Sequence, residues 1–511
     1  MPEPGPPRPT RSVGPVPEPL EPLARGPLTP ALERFAGGPV LAASAVAMLV
    51  LTTFSGVYGY HRDELYFRML PPDLAYTDQP FLTPWLARTL TGLVADEVWA
   101  LRIPATLTAG TAVVLIALLT RELGGGRRAQ ALAGWGYAGT ASLLMFGHVL
   151  LPATLDLALW LAVLLAATRA ALRDPRWWLL TGVLIGLTTW NRWLVVVLAL
   201  AIAAGVLLHG PRDALRSPWA WGGAIASLVI AAPNLVFQAT NDWPQLAMGA
   251  ALGENNAGEV RVLMWQLLFL FLGPALVPTC LRGIQHLWTD PALRHARFLL
   301  LCLLVLLAFT FIRGTQPHYF MTPLAAVFAA GCVRLGARIE SYRQLAVPWG
   351  LNAAFCALIG LPLLPLAVLG STPVPAISPL AADQVGWPAY TETVATAYDL
   401  AVQEHGEPVA VITANYGEAG ALARYGPEHG LPAPLSGHNH LHVLGGPDAE
   451  AATVVLVGHG RLATQFETCA VAGELDNGVG VDNEEQGVPV RVCHGPLDSW
   501  DQLWPLFAHL D

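Results

Sequence analysis

The sequence has few charged residues and no lysine. Only 13% of its 511 residues are charged and 54% are hydrophobic, whereas a soluble globular domain has about 25% charged residues. All 28 basic residues are arginine. The scarcity of charge excludes an ordinary soluble protein and predicts a polytopic α-helical membrane protein with a soluble appendage.

Several motifs of other protein classes are also missing. The net charge is −9, and the absence of a basic patch or stacking motif argues against nucleic acid as a partner. No residues have zinc-like spacing, so no metal site is predicted from a motif. His438, His440 and His442 alternate and would share one face of a strand. A metal site and a solvent-facing loop are both consistent with that alternation.

The six cysteines divide into two groups. Cys469 and Cys493 lie in the C-terminal tail, where either a disulfide or two free thiols is consistent with the sequence. The other four lie in or beside apolar segments, where a thiol is usually a small apolar filler: Cys280, Cys302, Cys332 and Cys356.

Long apolar segments dominate the chain up to residue 370. We predict a disordered, proline-rich cytoplasmic tail (1–35), a transmembrane domain (36–370) with a first outer loop at 58–98, and a small extracytoplasmic α/β domain (371–511). About eleven spans are predicted, at 38–57, 99–120, 129–147, 154–171, 177–190, 193–209, 219–237, 262–281, 298–312, 321–336 and 347–370.

The orientation depends on the segment 177–209, which Trp190-Asn191-Arg192-Trp193 splits into two short halves. If this segment is a hairpin, all the arginine clusters fall on one side, as the positive-inside rule requires. The N-terminus is then cytoplasmic and the C-terminus extracytoplasmic, in a multi-pass protein of the plasma membrane. The clusters are Arg121, Arg127 and Arg128; Arg169, Arg173 and Arg176; Arg212 and Arg216; Arg282, Arg294 and Arg297; and Arg334, Arg338 and Arg343.

The predicted outer face collects acidic residues. Asp63 and Glu64 follow the first span directly, and adjacent carboxylates at a membrane surface suggest a catalytic base or a cation site. Asp78 could cap a helix that begins near Pro80, with apolar residues at helical spacing typical of an amphipathic surface helix. Asp156, near the outer end of the fourth span, either belongs to a site or bonds a helix terminus.

The C-terminal tail has the pattern of a small α/β module. Residues 409–412 and 454–457 are short buried-strand candidates. Residues 416–425 predict a helix that ends at Gly426-Pro427.

Three motifs carry a resemblance to a known family: Asp63-Glu64, the segment 78–84 (DQPFLTP) and the segment 317–323 (PHYFMTP). They resemble the dolichyl-phosphate-mannose protein mannosyltransferase type, glycosyltransferase family 39, whose broad group includes bacterial aminoarabinose and galacturonic-acid transferases acting on lipid A. The resemblance covers about residues 38–370 and implies the GT-C fold. The tail segments 414–420 and 435–439 are similar to the tails of bacterial members.

This resemblance implies an integral membrane enzyme that transfers a sugar, with inversion, from a polyprenyl-phosphate-linked donor. The acceptor would be a protein, glycolipid or glycan outside the lipid bilayer. No cofactor follows from the sequence; some GT-C enzymes use a divalent cation, and that point stays open. A transporter and a non-catalytic envelope scaffold are the alternatives, although the two halves show no internal repeat.

The resemblance also suggests roles for individual residues. Asp63 is the candidate base that takes the proton of the acceptor hydroxyl. Glu64 could position the acceptor or pair with Arg62, and a purely structural ion pair is equally consistent with the sequence. Arg192 is the candidate ligand of the donor phosphate, although an arginine at an interface can also snorkel to lipid headgroups. Many relatives have a lysine after the fifth span where this chain has Asn191-Arg192.

Weaker candidates complete the predicted site. His318 and Tyr319 lie at the start of the tenth span and could reach the phosphate, or be ordinary hydrogen-bonded residues. The remaining site candidates are Arg62, Asp78 and Asp156.

Overall fold

The computed structural model describes residues 1, 5 and 29–511. The chain is mostly helical and carries a small sheet near its C-terminus, which confirms the predicted fold class. Of the predicted disordered tail at 1–35, residues 2–4 and 6–28 lie outside the described residues.

The helical part alternates long apolar helices with short helices. The helices are α1 Gly37–Phe54, α2 Arg62–Met69, α3 Leu82–Leu93, α4 Val98–Leu101, α5 Ile103–Glu122, α6 Arg127–Ala138, α7 Ala141–His148, α8 Pro152–Leu172, α9 Trp177–Thr188, α10 Val195–His209, α11 Pro218–Thr240, α12 Pro244–Leu270, α13 Val277–Thr289, α14 Phe298–Arg313, α15 Met321–Arg338 and α16 Arg343–Gly360. Three short helices lead into the C-terminal domain: α17 Leu366–Leu369, α18 Val374–Ile377 and α19 Pro379–Ala382.

Several helices are suited to cross a membrane. Within the described residues, four helical stretches are long and apolar enough: Gly37–Phe54, Val98–Glu122, Pro152–Leu172 and Pro218–Thr240. A bent pair, Pro244–Leu270 with Pro274–Thr289, adds a fifth if it counts as one span. The helices α9, α10 and α14 are apolar but shorter. The total of eleven spans therefore stays a prediction.

The apolar segment 262–281, predicted as one span, is not a single straight helix in the structure. Helix α12 ends at Leu270, and the helical segment that follows is bent from it by 69°. Gly273 at the break has φ +85°, a conformation that favours glycine, and Pro274 has no N–H to continue the helix. Helix α12 also begins at Pro244, inside a segment that the hydropathy pattern assigns to an outer loop.

Glycine pairs bring some apolar helices into backbone contact. A Cβ on Gly182 of α9 would lie 2.0 Å from the carbonyl oxygen of Gly223 in α11. A Cβ on Gly283 of α13 would lie 2.9 Å from the backbone nitrogen of Gly331 in α15. Lipid tails are as apolar as the side chains, so close packing of small residues stabilises such crossings.

The C-terminal domain packs helices against a five-stranded sheet. It contains α20 Trp387–His405, α21 Tyr416–Tyr425, α22 Trp500–Leu503, β1 Val409–Thr413, β2 Leu435–Ser436, β3 Thr453–Val457, β4 Phe466–Glu474 and β5 Pro489–Pro496. The strand order is β2-β1-β3-β5-β4. Strand β1 is parallel to both neighbours, and β5 is antiparallel to both of its neighbours. The predicted strands at 409–412 and 454–457 and the helix at 416–425 are confirmed.

The cysteines of this domain form a disulfide. Cys469 of β4 lies directly opposite Cys493 of β5, and the two are joined. Of the two alternatives that the sequence leaves open, the structure contains the disulfide. The other four cysteines are free and buried.

A fully buried ion pair joins the ends of several helices. Arg102, between α4 and α5, places its Nε 2.9 Å from Glu64 Oε1 and its Nη2 2.8 Å from Glu64 Oε2. Arg102 also donates to the carbonyl oxygens of Ser55 and Gly59, at 2.8 and 2.7 Å, and to the side chain of Gln384 at 3.0 Å. The end of α1, the helix α2 and the C-terminal region therefore meet at one guanidinium.

The carboxylate of Glu64 has further donors. It accepts the backbone N–H groups of His61 and Leu150, each at 2.8 Å. Both side chains of the pair have no exposed surface. Removing each ion from water is costly. The hydrogen bonds to the guanidinium and to the carboxylate offset that desolvation cost.

This pair generates a stability prediction. We expect Glu64→Ala to lower the free energy of unfolding by about 3–5 kcal/mol, because it leaves the buried charge of Arg102 without its partner. The control is Asp96→Ala, which breaks a half-exposed pair with Arg68 and should cost about 0–1 kcal/mol. Unfolding of the purified protein in detergent measures both, and equal losses would contradict a central role for the pair.

Candidate active site

Helix α2 separates the two adjacent carboxylates. His61 precedes the helix, and its Nδ1 accepts the N–H of Asp63 at 3.2 Å. Successive residues of a helix point about 100° apart. The side chain of Asp63 is consequently 27% exposed, whereas that of Glu64 has no exposed surface. Asp63 alone of the two is open to a substrate.

The suggested pairing of Glu64 with Arg62 is wrong. Glu64 pairs with Arg102, and Arg62 instead contacts Glu484 of the C-terminal domain. A role for Glu64 in positioning the acceptor does not fit its complete burial. We therefore assign Glu64 to the fold and leave the chemistry to Asp63.

Asp78 does not cap a helix. Helix α3 begins at Leu82 after Phe81, without a side-chain cap. Asp78 instead accepts the hydroxyl of Tyr66 at 3.0 Å, and Tyr66 lies on α2. Burial raises the pKa of Asp78 to about 7. The acid is thus bonded to the same helix that carries Asp63.

The residues after Asp78 connect α2 to the turn between α9 and α10. The N–H of Leu82 donates to the carbonyl oxygen of Trp190 at 3.0 Å, and the hydroxyl of Thr83 donates to Asn191 Oδ1 at 3.0 Å. The ring of Phe81 packs edge-on against Trp190, with centroids 4.8 Å apart. The segment 78–84 is therefore a bridge between two parts of the predicted site.

The second part of the site surrounds Arg192. Its Nε lies 3.6 Å from Asp156 Oδ2, and its Nη1 lies 3.2 Å from Nε2 of His318. The guanidinium lies over the ring of Tyr319, 5.4 Å from the centroid. Asn191 donates to Asp156 Oδ1 at 2.8 Å and holds that carboxylate in place. The structure brings together four residues that the sequence named separately.

Two residues of the C-terminal domain contact the part of the site around Asp63 and Tyr66. The sequence analysis did not place either residue in the site. The hydroxyl of Tyr416 donates to Asp63 Oδ1 at 2.9 Å. The N–H of His440 donates to the hydroxyl oxygen of Tyr66, and the N–H of Thr77 donates to His440 Nδ1, each at 3.3 Å. The available signal was the family-like tail segments, one of which contains Tyr416.

The alternating histidines do not form a metal site. Among the residues that the structure describes, no three or more histidine, cysteine or acidic side chains are arranged to hold a metal ion. His440 and His442 lie in a 3-10 turn, not a strand. His438 stacks on His509 with centroids 4.4 Å apart, and His442 stacks on Trp504. The three histidines therefore contact different residues.

Carboxylates of the C-terminal region surround Arg62. Glu484 contacts its guanidinium, and Asp383, Glu418 and Glu485 lie within electrostatic reach. Burial raises the pKa of Asp383 to about 8 and that of Glu418 to about 8. One arginine cannot compensate all these acids, so part of the cluster is protonated at neutral pH.

Part of the chain matches a known family, and its fold is similar to solved structures. Residues 78–237 match a family model described as dolichyl-phosphate-mannose-protein mannosyltransferase. A crystal structure of ArnT from Cupriavidus metallidurans bound to undecaprenyl phosphate superposes with a TM-score of 0.61 at 15% identity, covering 89% of this chain and 98% of that chain. The apo structure of the same protein gives 0.53 at 16% identity, with the same coverage.

The chain has the GT-C fold. The resemblance that the motifs indicate is thereby confirmed. A search of curated protein sequences finds no match. The family match spans the bridge 78–84 as well as Asp156 and Arg192.

The carboxylates around Arg62 generate a pH prediction. With its pKa raised to about 8, Asp383 keeps a proton in the folded protein that the unfolded chain loses above about pH 4. Its contribution to stability therefore falls as the pH rises from about 4 to 8. We expect Asp383→Asn to make the decline of the melting temperature between pH 5 and pH 8 shallower.

The matched control is Asp399→Asn on the exposed face of α20, which should keep the wild-type slope. An unchanged slope in Asp383→Asn would refute the assignment. The groups that face Asp383 are His61, Arg62, Asp63, Glu484 and Glu485.

Proposed function

We propose that this protein transfers one sugar from a polyprenyl-phosphate donor to a hydroxyl group of an extracytoplasmic acceptor, with inversion. The proposal rests on two partly exposed charges, the carboxylate of Asp63 and the guanidinium of Arg192. The bridge 78–84 connects the two parts of the site that contain them. The ArnT structure with the same fold holds undecaprenyl phosphate. A lipid-phosphate carrier is therefore the proposed donor class for this chain.

Asp63 is the proposed base. The oxygen of the acceptor hydroxyl attacks the anomeric carbon of the donor, the bond from that carbon to the phosphate oxygen breaks, and the hydroxyl proton passes to Asp63. A single displacement inverts the anomeric centre. Oδ1 of Asp63 is bonded to Tyr416, while Oδ2 has no hydrogen bond within residues 29–511. Oδ2 is thus the atom that can take the proton.

Arg192 is the proposed ligand of the leaving phosphate, with His318 and Tyr319 beside it. Its side chain is 20% exposed, and its Nη2 makes no hydrogen bond to any residue that the structure describes. Asp156 balances the charge of Arg192 only partly, at 3.6 Å. A guanidinium with unused N–H donors can bind two phosphate oxygens and stabilise the charge that develops as the bond breaks.

The proposed orientation places both parts of the site outside the cell. Glu122, at the end of α5, contacts Arg169 and Arg173 at the end of α8, at 2.8 and 3.3 Å. These basic residues thus gather at the helix ends opposite to Arg192, as expected for the cytoplasmic face. We propose the domain limits 1–35, 36–370 and 371–511, the last being extracytoplasmic.

The base assignment is tested with Asp63→Asn in purified full-length protein. The donors are labelled undecaprenyl-phosphate hexoses and pentoses, and the acceptor is envelope membrane from a strain that lacks the protein. We expect kcat to fall by about 10²–10⁴-fold with a nearly unchanged KM for donor, since a base acts in the transition state. Asp96→Asn, in the same outer loop, should behave as wild type. Full activity of Asp63→Asn would reject Asp63 as the base.

The phosphate assignment is tested with Arg192→Gln and Arg192→Lys. We expect Gln to weaken binding of undecaprenyl phosphate by about ten- to hundredfold, because charge-assisted hydrogen bonds are lost. Lysine keeps the charge without the planar fork and should retain part of the affinity. Arg313→Gln, an exposed arginine at the end of α14, is the control. Equal affinity for Arg192→Gln and the control would disprove the role.

A further inference from the structure

Two segments of the C-terminal domain converge on helix α2. The first is the start of α21, which follows strand β1, and the second is residues 437–440, which follow strand β2. Because β1 and β2 are parallel neighbours, their carboxyl ends lie side by side. The chain after each strand thus reaches the same place, next to Asp63 and Tyr66.

Helix α21 begins with a firmly held first turn. Asn415 caps it by accepting the N–H of Glu418 at 2.9 Å, and Glu418 accepts the N–H of Asn415 in return at 3.2 Å. Such a reciprocal capping box fixes the helix start. Tyr416 is the first residue of this helix. Contacts within the C-terminal domain therefore fix the position of its backbone.

Glycines let α21 lie directly on α2. A Cβ on Gly420 would lie 2.7 Å from the carbonyl carbon of Leu65, and a Cβ on Gly417 would lie 2.9 Å from Cβ of Arg62. Any larger residue at these positions would push the two helices apart. The distance between the backbone of Tyr416 and that of Asp63 is therefore set by close packing.

The ring of Tyr416 is held on several sides. Arg62 lies 5.0 Å from its centroid, and the rings of Tyr66 and His438 lie 4.8 and 4.7 Å away. The hydroxyl then has one hydrogen-bond partner among the described residues, Asp63 Oδ1 at 2.9 Å. Burial raises the pKa of Tyr416 well above its usual range, so the hydroxyl stays protonated and donates.

We propose that Tyr416 is a positioning residue through which the C-terminal domain orients the carboxylate of Asp63. This inference rests on the proposed function, in which Asp63 takes the acceptor proton. By bonding Oδ1, the tyrosine fixes the plane of the carboxylate and turns Oδ2 toward the acceptor. The active site is then composed of two domains, and the transmembrane domain alone is incomplete.

The test is Tyr416→Phe in the full-length protein, assayed with labelled undecaprenyl-phosphate sugars and envelope membranes as acceptor. The ring packing is kept and only the hydroxyl is removed. We expect kcat to fall about tenfold, with KM for donor and affinity for undecaprenyl phosphate unchanged, because a misaligned base slows the chemical step. The control is Tyr390→Phe, whose hydroxyl bonds Asn483 within the C-terminal domain at 2.8 Å. It should keep wild-type kcat.

A double-mutant cycle with Asp63→Asn identifies the route of the effect. If Tyr416 acts through Asp63, adding Tyr416→Phe to Asp63→Asn causes no further loss, since coupled residues are not additive. A further tenfold loss in that background overturns the inference. So does wild-type kcat in Tyr416→Phe, or a parallel loss of undecaprenyl phosphate binding.

The outcomes also separate this inference from the proposed function. No transfer by the wild-type protein from any of these donors overturns the proposed function and this inference with it. Transfer by the wild type, loss in Asp63→Asn and normal kcat in Tyr416→Phe overturns the positioning role alone. Transfer by the wild type with selective loss of kcat in Tyr416→Phe supports both.

Discussion

The buried pair of Arg102 and Glu64 is the contact on which the region around helix α2 depends. A charge without exposed surface must be matched by an opposite charge and by hydrogen bonds, otherwise the desolvation cost exceeds the attraction. Here the guanidinium satisfies carbonyl groups at the end of α1 while the carboxylate satisfies N–H groups before α2 and before α8. The requirement to satisfy both ions fixes helix α2, and α2 in turn fixes the direction of Asp63.

The proposed chemistry divides between two clusters of different character. Asp63 is a partly exposed carboxylate that accepts the hydroxyl of Tyr416, which suits proton transfer. Around Arg192 the partners are an acid, an imidazole and an aromatic ring, which suits an anion. The bridge 78–84 is bonded to both clusters, at Tyr66 and at Asn191. Its resemblance to a family motif therefore has a physical basis, since it joins the proposed base to the proposed phosphate ligand.

Local patterns predicted much of this fold. The apolar segments, the break at Trp190–Trp193 and the buried strands of the tail follow from hydropathy and turn residues, and each is visible within a short window. The bend at Gly273 was missed because the apolar character continues through it from 262 to 281, so that only the glycine-proline pair marked the break. The hydropathy pattern predicts which segments are buried, but it does not predict where a helix bends.

The contacts of the site were harder to predict because they join residues far apart in sequence. The local sequence offers Arg62 as a partner for Glu64, whereas the partner in the structure, Arg102, lies 38 residues away. Tyr416 lies 353 residues from Asp63, and no local pattern links them. Asp78 looked like a helix cap because it stands a few residues before a helix, but tertiary packing gave it Tyr66 instead. Long-range pairing of polar groups is decided by the assembled fold.

The two glycines of α21 have a consequence for how such enzymes can be recombined. Helices α2 and α21 are in close contact at Gly417 and Gly420. Their surfaces fit so closely that one added methyl group at either glycine would clash. A C-terminal domain exchanged between relatives will seat correctly only if residues 62–65 come with it. The two segments form one packing unit, although more than 300 residues of chain separate them.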